Sequence, residues 1–231
     1  MSQPADVLDL RNWKLTLPIQ PDEHVETKKN GDAYEVFRPA LDRFADKRCF
    51  SVTDDGKGVV LTVHHGDLAT QGSENPRCEL REMTNNGKDE HNWDGTAGTH
   101  TLTVEGQVNR VTTKTKTVVL AQVHNKRDHG KSDDVTVFRL VGDKLHITEG
   151  DDDDAFIVPG DFPLNTRYTL KIEVKDGRTS YWVNGKKQDF TTKNKDRKNY
   201  FKAGNYLQSH GDGPAEKLAE VVLYSVTVSH S

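Results

Sequence analysis

Three short stretches of this 231-residue chain carry side chains suited to acid–base chemistry on an anion. The first is Tyr200-Phe201-Lys202-Ala203-Gly204-Asn205-Tyr206-Leu207-Gln208. Read as a β-strand, its side chains alternate, so Tyr200, Lys202, Gly204, Tyr206 and Gln208 share one face. Phe201, Ala203, Asn205 and Leu207 share the other, which suits a core with Asn205 as the one misfit. Gly204 reads as a bare position where a ligand can approach the backbone. In Arg77-Cys78-Glu79-Leu80-Arg81 the same alternation groups Arg77, Glu79 and Arg81, and paired guanidiniums suit the bidentate grip of an acid. In Val118-Val119-Leu120-Ala121-Gln122-Val123-His124, Gln122 and His124 share a face while Ala121 and Val123 point the other way.

Taken singly, each stretch has a plain structural reading: a rim of salt bridges, a satisfied histidine, a packing tyrosine. Together they offer Arg, Glu, Gln, His, Lys and Tyr, and no Ser-His-Asp order, P-loop or H-E-x-x-H accompanies them. Glycoside hydrolysis needs two carboxyls, and these faces supply only Glu79, whose flanking arginines favour its ionised form. The set suits a uronic-acid polymer instead. Removing the C5 proton beside a carboxylate adds a second negative charge, which donors and cations must neutralise. Arg77, Gln122 and His124 fit that task. Tyr206 fits as the acid that protonates the departing O4, and as a base if Lys202, Arg77 and Arg81 favour its phenolate. The outcome is β-elimination, which breaks the glycosidic bond without water and leaves a 4,5-unsaturated sugar. The same residues would serve a lyase for another polyuronate such as glucuronan. A non-catalytic carbohydrate-binding sandwich is the rival from outside enzymology.

These three segments resemble the signature motifs of the polysaccharide lyase family 7 alginate lyases, in the same order and spacing. The resemblance implies a β-jelly roll whose concave sheet binds alginate, an anionic polysaccharide. It implies Arg77, Gln122, His124 and Tyr206 as catalytic residues, and Glu79, Arg81, Lys202, Gln208 and Tyr200 as substrate-binding companions. Cys78 stands where the family usually has Ser or Thr, on the face turned from the site. Val123, in place of the alternative Ile, is associated in this family with mannuronate-rich chains. No cofactor and no metal is called for, because side chains already supply the cations.

Positioning three polar faces side by side requires a sheet. Strand patterns recur at 13–17, 59–63, 77–83, 99–108, 117–124, 135–140, 144–148, 167–174, 180–183, 200–208 and 218–228. Asn184-Gly185 predicts a type I′ hairpin, and Gly142 and Gly177 mark further turns. Residues 20–36 read as a long loop, and 39–48 as a short helix. Many short strands with almost no helix predict an all-β fold: one domain over residues 1–231, a concanavalin-like two-sheet jelly roll. Loops should complete the cleft. Lys126, Arg127, His129 and Lys131 suggest a cationic lid, and Trp93 either stacks on a sugar or plugs the sheet edge. Asp151-Asp152-Asp153-Asp154 reads as a solvated loop, with calcium as the alternative, though it lacks the Gly and closing Glu of an EF-hand.

Hydrophobic residues make up 33% of the chain and charged ones 29%, a ratio that suits a folded domain with a wet surface because the apolar residues fall in regular runs. A net charge of -4 gives no global field for nucleic acid or anionic lipid, so affinity for a polyanion must be local. No apolar run reaches the length of a membrane span, and no nucleic-acid or membrane partner is expected. A monomer is expected. The first six residues lack the basic and apolar regions of a secretory leader, so the protein is intracellular or its leader has been removed. A substrate too large to cross a membrane argues for the secreted or cell-surface alternative. Cys49 and Cys78 are read as one disulfide or two buried thiols, and with no C-x-x-C pair they suggest no zinc site.

Overall fold

The computed structural model describes residues 2–126, 132–211 and 218–231. Its strands are β1 (Trp13–Leu17), β2 (Thr27–Asn30), β3 (Ala33–Val36), β4 (Phe50–Val52), β5 (Val59–His64), β6 (Arg77–Thr84), β7 (Asp89–Glu90), β8 (Thr99–Arg110) and β9 (Thr117–Lys126). They continue as β10 (Ser132–Val141), β11 (Lys144–Glu149), β12 (Asp152–Ile157), β13 (Arg167–Lys175), β14 (Arg178–Val183), β15 (Lys186–Lys193), β16 (Asn199–Leu207) and β17 (Leu218–His230). Among the described residues, helix is confined to α1 (Pro4–Val7) and one 3-10 turn at Ala40–Arg43. None of these helices is long and apolar enough to cross a membrane.

Two antiparallel sheets face each other. The larger runs β12-β11-β10-β9-β16-β6-β1-β3-β2, with β7 added to β6; the smaller runs β15-β14-β13-β8-β17-β5-β4. The three stretches with polar faces, β6, β9 and β16, are neighbours in the larger sheet although 114 residues lie between the end of β6 and the start of β16. Their apolar faces enter the core: Leu80, Ala121, Val123, Phe201 and Ala203 meet Leu61, Leu102, Ile172 and Val221 of the opposite sheet. Burying a Leu, Ile or Phe side chain contributes about 1.5 to 3 kcal/mol, and that gain fixes which face of each strand turns inward. A slip of one residue would bury the charged face.

The turns follow their chemistry. Asn184 and Gly185 both have positive φ and join Val183 to Lys186, as a type I′ hairpin requires. Two expectations are corrected. Residues 20–36 contain the hairpin β2–β3, turned at Gly31; β2, Thr-Lys-Lys-Asn, is an edge strand with little apolar signal to show it. The helix expected over 39–48 shrinks to one 3-10 turn, because Phe44 is already extended and Asp46 bridges Phe50 through two backbone hydrogen bonds. The acidic run belongs to edge strand β12, where Asp153 pairs with Arg139 at 2.8 Å and Asp154 with His146 at 2.8 Å. Cys49 and Cys78 are free and buried, and the Cys78 thiol donates to the Cys49 carbonyl at 3.3 Å.

Gly204 has a different purpose from the one its alternation suggests. Its φ of +150° lies outside the range open to L side chains, and a Cβ would stand 2.7 Å from the Cys78 carbonyl and 2.9 Å from Glu79 Cα. The residue therefore permits a bulge against β9, where the register shifts between Ala203 and Tyr206. It opens no space above the sheet. The misfit Asn205 is fully buried and bridges to the other sheet, its Nδ2 donating to the carbonyls of Leu61 and Ala219 at 2.9 Å each.

Candidate active site

Cross-strand register assembles the site in rows. Lys14 of β1, Arg81 of β6, Lys202 of β16 and Gln122 of β9 lie opposite one another in sequence across the sheet. The adjacent row toward one end pairs Tyr200 with His124. Toward the other end, Thr16, Glu79 and Gly204 form one row, and Arg77, Tyr206 and Val119 the next. Neighbouring strands sit about 4.8 Å apart, so these side chains stand within contact range. All but Glu79 and Gly204 line a cleft of about 980 Å³ that crosses β1, β6, β16, β9 and β10.

Arg77, Gln122, His124 and Tyr206, the four residues expected to be catalytic, are brought together, and each is held by a named contact. The Arg77 guanidinium lies 3.6 Å above the Tyr206 ring, and the Tyr206 hydroxyl shares a hydrogen bond with Ser73 Oγ at 3.2 Å. His124 stacks on Tyr200 with ring centroids 5.3 Å apart, and the Tyr200 hydroxyl lies 3.2 Å from His124 Nδ1. Burial pushes the His124 imidazole well below its ordinary value, and Lys202, Arg77 and Arg81 push it the same way. His124 is thus a neutral ring. Nδ1 faces two groups, the Asn125 carbonyl at a long 3.4 Å and the Tyr200 hydroxyl at 3.2 Å; when Tyr200 donates to Nδ1, the imidazole proton sits on Nε2 as a donor.

Glu79 does not line the cleft as a substrate contact would. Its side chain is 0% exposed and lies under the floor, 2.5 Å from Lys202 Nζ and 3.7 Å from Arg77, with Gln122 Nε2 donating to its other oxygen. One carboxylate thereby orients three cleft side chains from below. Arg81 and Tyr200 do line the cleft, with the guanidinium 4.0 Å above the ring. Arg77 Nε and Gln208 Nε2 are buried donors with no acceptor among the described residues, a surplus that suits an acidic ligand.

Several cleft residues escape motif reading. Lys14 and Thr16 share the polar face of β1, and the alternation of Trp13-Lys14-Leu15-Thr16-Leu17 is enough to find them. Arg139 is reached by the same rule on β10. Ser73 and Glu90 come from a loop and a two-residue strand, and no periodicity signals either. Glu90 accepts from Lys126 at 2.8 Å and lies 3.6 Å from Arg81 and 3.8 Å from Lys14. Burial opposes its ionisation, but Lys126, Arg81 and Lys14 hold the carboxyl below its usual range. Of the expected lid, Lys126 lines the cleft, while Arg127, His129 and Lys131 lie outside the described residues. Trp93 is a plug: it is 4% exposed, stacks on His100 at 4.3 Å, and faces away from the cleft.

The sequence matches the family described as alginate lyase over residues 8–230. Among solved structures it is 38% identical to the polysaccharide lyase family 7 alginate lyase AlgAT5, each chain being covered in full, with a TM-score of 0.88. It is also 38% identical to an alginate lyase from Corynebacterium sp., covering 99% of this chain and 98% of that one at a TM-score of 0.88. At 26% identity and a TM-score of 0.82, covering 100% of this chain and 97% of that one, it is similar to a doubly substituted family 7 alginate lyase A1-II′ in complex with substrate (GGMG). No curated protein matches.

Proposed function

The chain belongs to the polysaccharide lyase family 7 alginate lyases, and from that membership we propose that it cuts alginate internally by β-elimination at Arg77, Gln122, His124 and Tyr206. Polysaccharide lyase activity follows from the family; the mechanism, the mode of cleavage and the residue roles are inferred. The observation that carries them is Tyr206, held between the Arg77 guanidinium and Ser73 on a floor shared with neutral His124 and Lys202.

In this reading the sugar carboxylate is gripped by Arg77, Gln122 and the Nε2–H of His124. These donors are already ordered by Glu79 and Tyr200, so little reorganisation opposes their stabilising the charge that develops when the C5 proton leaves. The C5–H electrons form the C4=C5 bond as the C4–O4 bond breaks. Tyr206 takes the C5 proton as phenolate and returns it to O4, so no water enters and no proton is gained or lost. Arg81, Lys202, Tyr200 and Gln208 hold neighbouring sugars. Five strands at about 4.8 Å spacing give a trough long enough for several residues of polymer, which favours internal cleavage. Val123 is fully buried and reaches the substrate only through Gln122 and His124, so the mannuronate preference it suggests acts by positioning. A polymer too large to cross a membrane argues for an enzyme outside the cell or on its surface.

The test is ultraviolet absorbance of the conjugated C4=C5 product on block-defined alginates. Polymannuronate should give the faster rise, with a rapid fall in viscosity. Absence of the chromophore with every alginate would sink the elimination mechanism, and faster action on polyguluronate would sink the preference.

The cleft also fixes an alkaline limit. Burial pushes the Lys202 ammonium down to about 8, helped by Arg77 and Arg81 and opposed by Glu79. Below that pH Lys202 is a cation available to the polyanion; above it the charge is lost. The kcat/KM of the free enzyme should therefore fall as pH rises through about 8, mainly through KM. Lys202→Arg keeps its charge and should move this limb upward. An unchanged limb in that variant would assign it to another group.

A further inference from the structure

Behind the cleft floor, one cluster of capable side chains has no part in the elimination. Glu82 follows Arg81 on β6 and points the other way, its side chain 1% exposed. Its Oε2 accepts from Trp93 Nε1 at 3.1 Å and from the Phe201 amide at 2.9 Å. Its Oε1 instead meets two imidazoles, His91 Nδ1 at 2.8 Å and His230 Nε2 at 2.6 Å. Those rings are 27% and 24% exposed, so the cluster opens to solvent on the histidine side. The three ligand atoms all lie within 4.8 Å of one another.

The hydrogen-bond chain behind His230 limits where protons can sit. His100 Nε2 lies 3.0 Å from the Asp94 carbonyl and 2.9 Å from the Ala97 carbonyl. Carbonyls only accept, so this nitrogen carries a proton, and in a neutral ring Nδ1 is then an acceptor. His230 Nδ1 stands 2.8 Å from it and must donate. Neutral His230 is left with its lone pair on Nε2, facing a carboxylate oxygen at 2.6 Å. Two lone pairs at that distance repel, so a proton stands between them at 2.6 Å. A metal ion that takes the proton's place sits about 2 Å from each ligand atom, so the two atoms part to roughly 3.3 Å as it enters and recruits His91. The contact from His230 Nδ1 to His100 is the outer-shell bond that orients a metal-bound histidine.

We propose that Glu82 Oε1, His91 Nδ1 and His230 Nε2 form a binding site for a divalent transition ion of the zinc type, clipping the C-terminal strand to the cleft sheet. Two imidazoles and one carboxylate suit zinc, and the oxygen-rich sets favoured by calcium and magnesium are absent. The fourth position faces solvent and takes water. The ion ties β17 of one sheet to β6 of the other, and Glu82 extends the tie to β16 through Phe201. It is a structural clip on the face of β6 turned away from the cleft. The three ligands come from positions 82, 91 and 230, a spacing that no linear motif announces.

The full untagged chain, stripped with a chelator and dialysed, is titrated with zinc chloride against a chromophoric chelator. One zinc per chain is expected, with the melting temperature raised by roughly 5 to 10 °C at a hundredfold excess over Kd. Cobalt in place of zinc should give the visible absorption of a four-coordinate nitrogen–oxygen site. His91→Ala and His230→Gln, both at partly exposed rings, should lose the melting shift and the cobalt spectrum while still cleaving alginate. Absence of stoichiometric binding would overturn the site, as would binding that neither variant weakens. Elimination activity is read separately in the stripped enzyme, so failure of the metal site leaves the lyase reading intact, and the reverse.

Discussion

Tyr206→Phe is expected to lower kcat about a thousandfold or more while leaving KM close to that of the wild type. The phenol hydroxyl is the only group changed. The ring keeps its 3.6 Å contact with the Arg77 guanidinium, so the cation that grips the carboxylate stays where it is. In the proposed mechanism what disappears is the proton donor to O4 and the acceptor of the C5 proton, and positioned acid–base groups are typically worth about 10²- to 10⁴-fold each. A group that serves both steps belongs at the upper end. The hydroxyl has Ser73 as its hydrogen-bond partner and the residue is only partly buried, so the variant should fold normally. Initial rates and the affinity of the inactive variant for alginate check the prediction. A kcat near the wild-type value would remove Tyr206 from the chemistry.

The second large effect is on stability and activity together. Glu79→Gln keeps the shape of the side chain and removes its charge. In the native protein that charge balances Lys202 at 2.5 Å and Arg77 at 3.7 Å, with Glu79 0% exposed and the two cations nearly so. Removing one partner of a buried ion pair costs about 3 to 5 kcal/mol, because the remaining charge has no solvent to turn to. For a chain of this size the melting temperature should fall by roughly 10 °C. Lys202 relieves part of the strain by losing its proton, so the cleft also loses a cation and kcat/KM falls. A double substitution, Glu79→Gln with Lys202→Met, should be less unstable than Glu79→Gln alone, since it leaves fewer buried charges unpaired. Wild-type stability in the single variant would show that Glu79 is not the counter-charge the geometry makes it.

Glu90 provides a contrast with Glu79. Both are carboxylates among cations, but Glu90 is 39% exposed and stands at the cleft wall between Lys126, Arg81 and Lys14. Solvent screens it, so its pairs are worth far less to stability.

Period-two alternation determined the most local facts. It grouped Arg77 with Arg81, Gln122 with His124, and Lys202 with Tyr206, and it sent Cys78 and Val123 to the core, because a strand reverses its side chains at every residue whatever its partners. Motif reading does not single out Lys14, Thr16 and Arg139, although the same rule applied to their strands groups them on polar faces; it does not say that those faces share one floor. It failed where the backbone departs from the rule or where the signal is tertiary. Gly204 seemed to make room for a sugar; its φ and the 2.7 Å approach of the Cys78 carbonyl show a bulge that only glycine permits. Glu79 seemed to face the substrate and instead lies beneath it, because three side chains from two neighbouring strands and its own close over it. Ser73, Glu90 and the cluster of Glu82, His91 and His230 could not be grouped from the sequence at all. Alternation is a property of one strand, set by covalent geometry. Register, bulges and the approach of residue 230 to residue 82 are settled only when two sheets bury their apolar faces against each other.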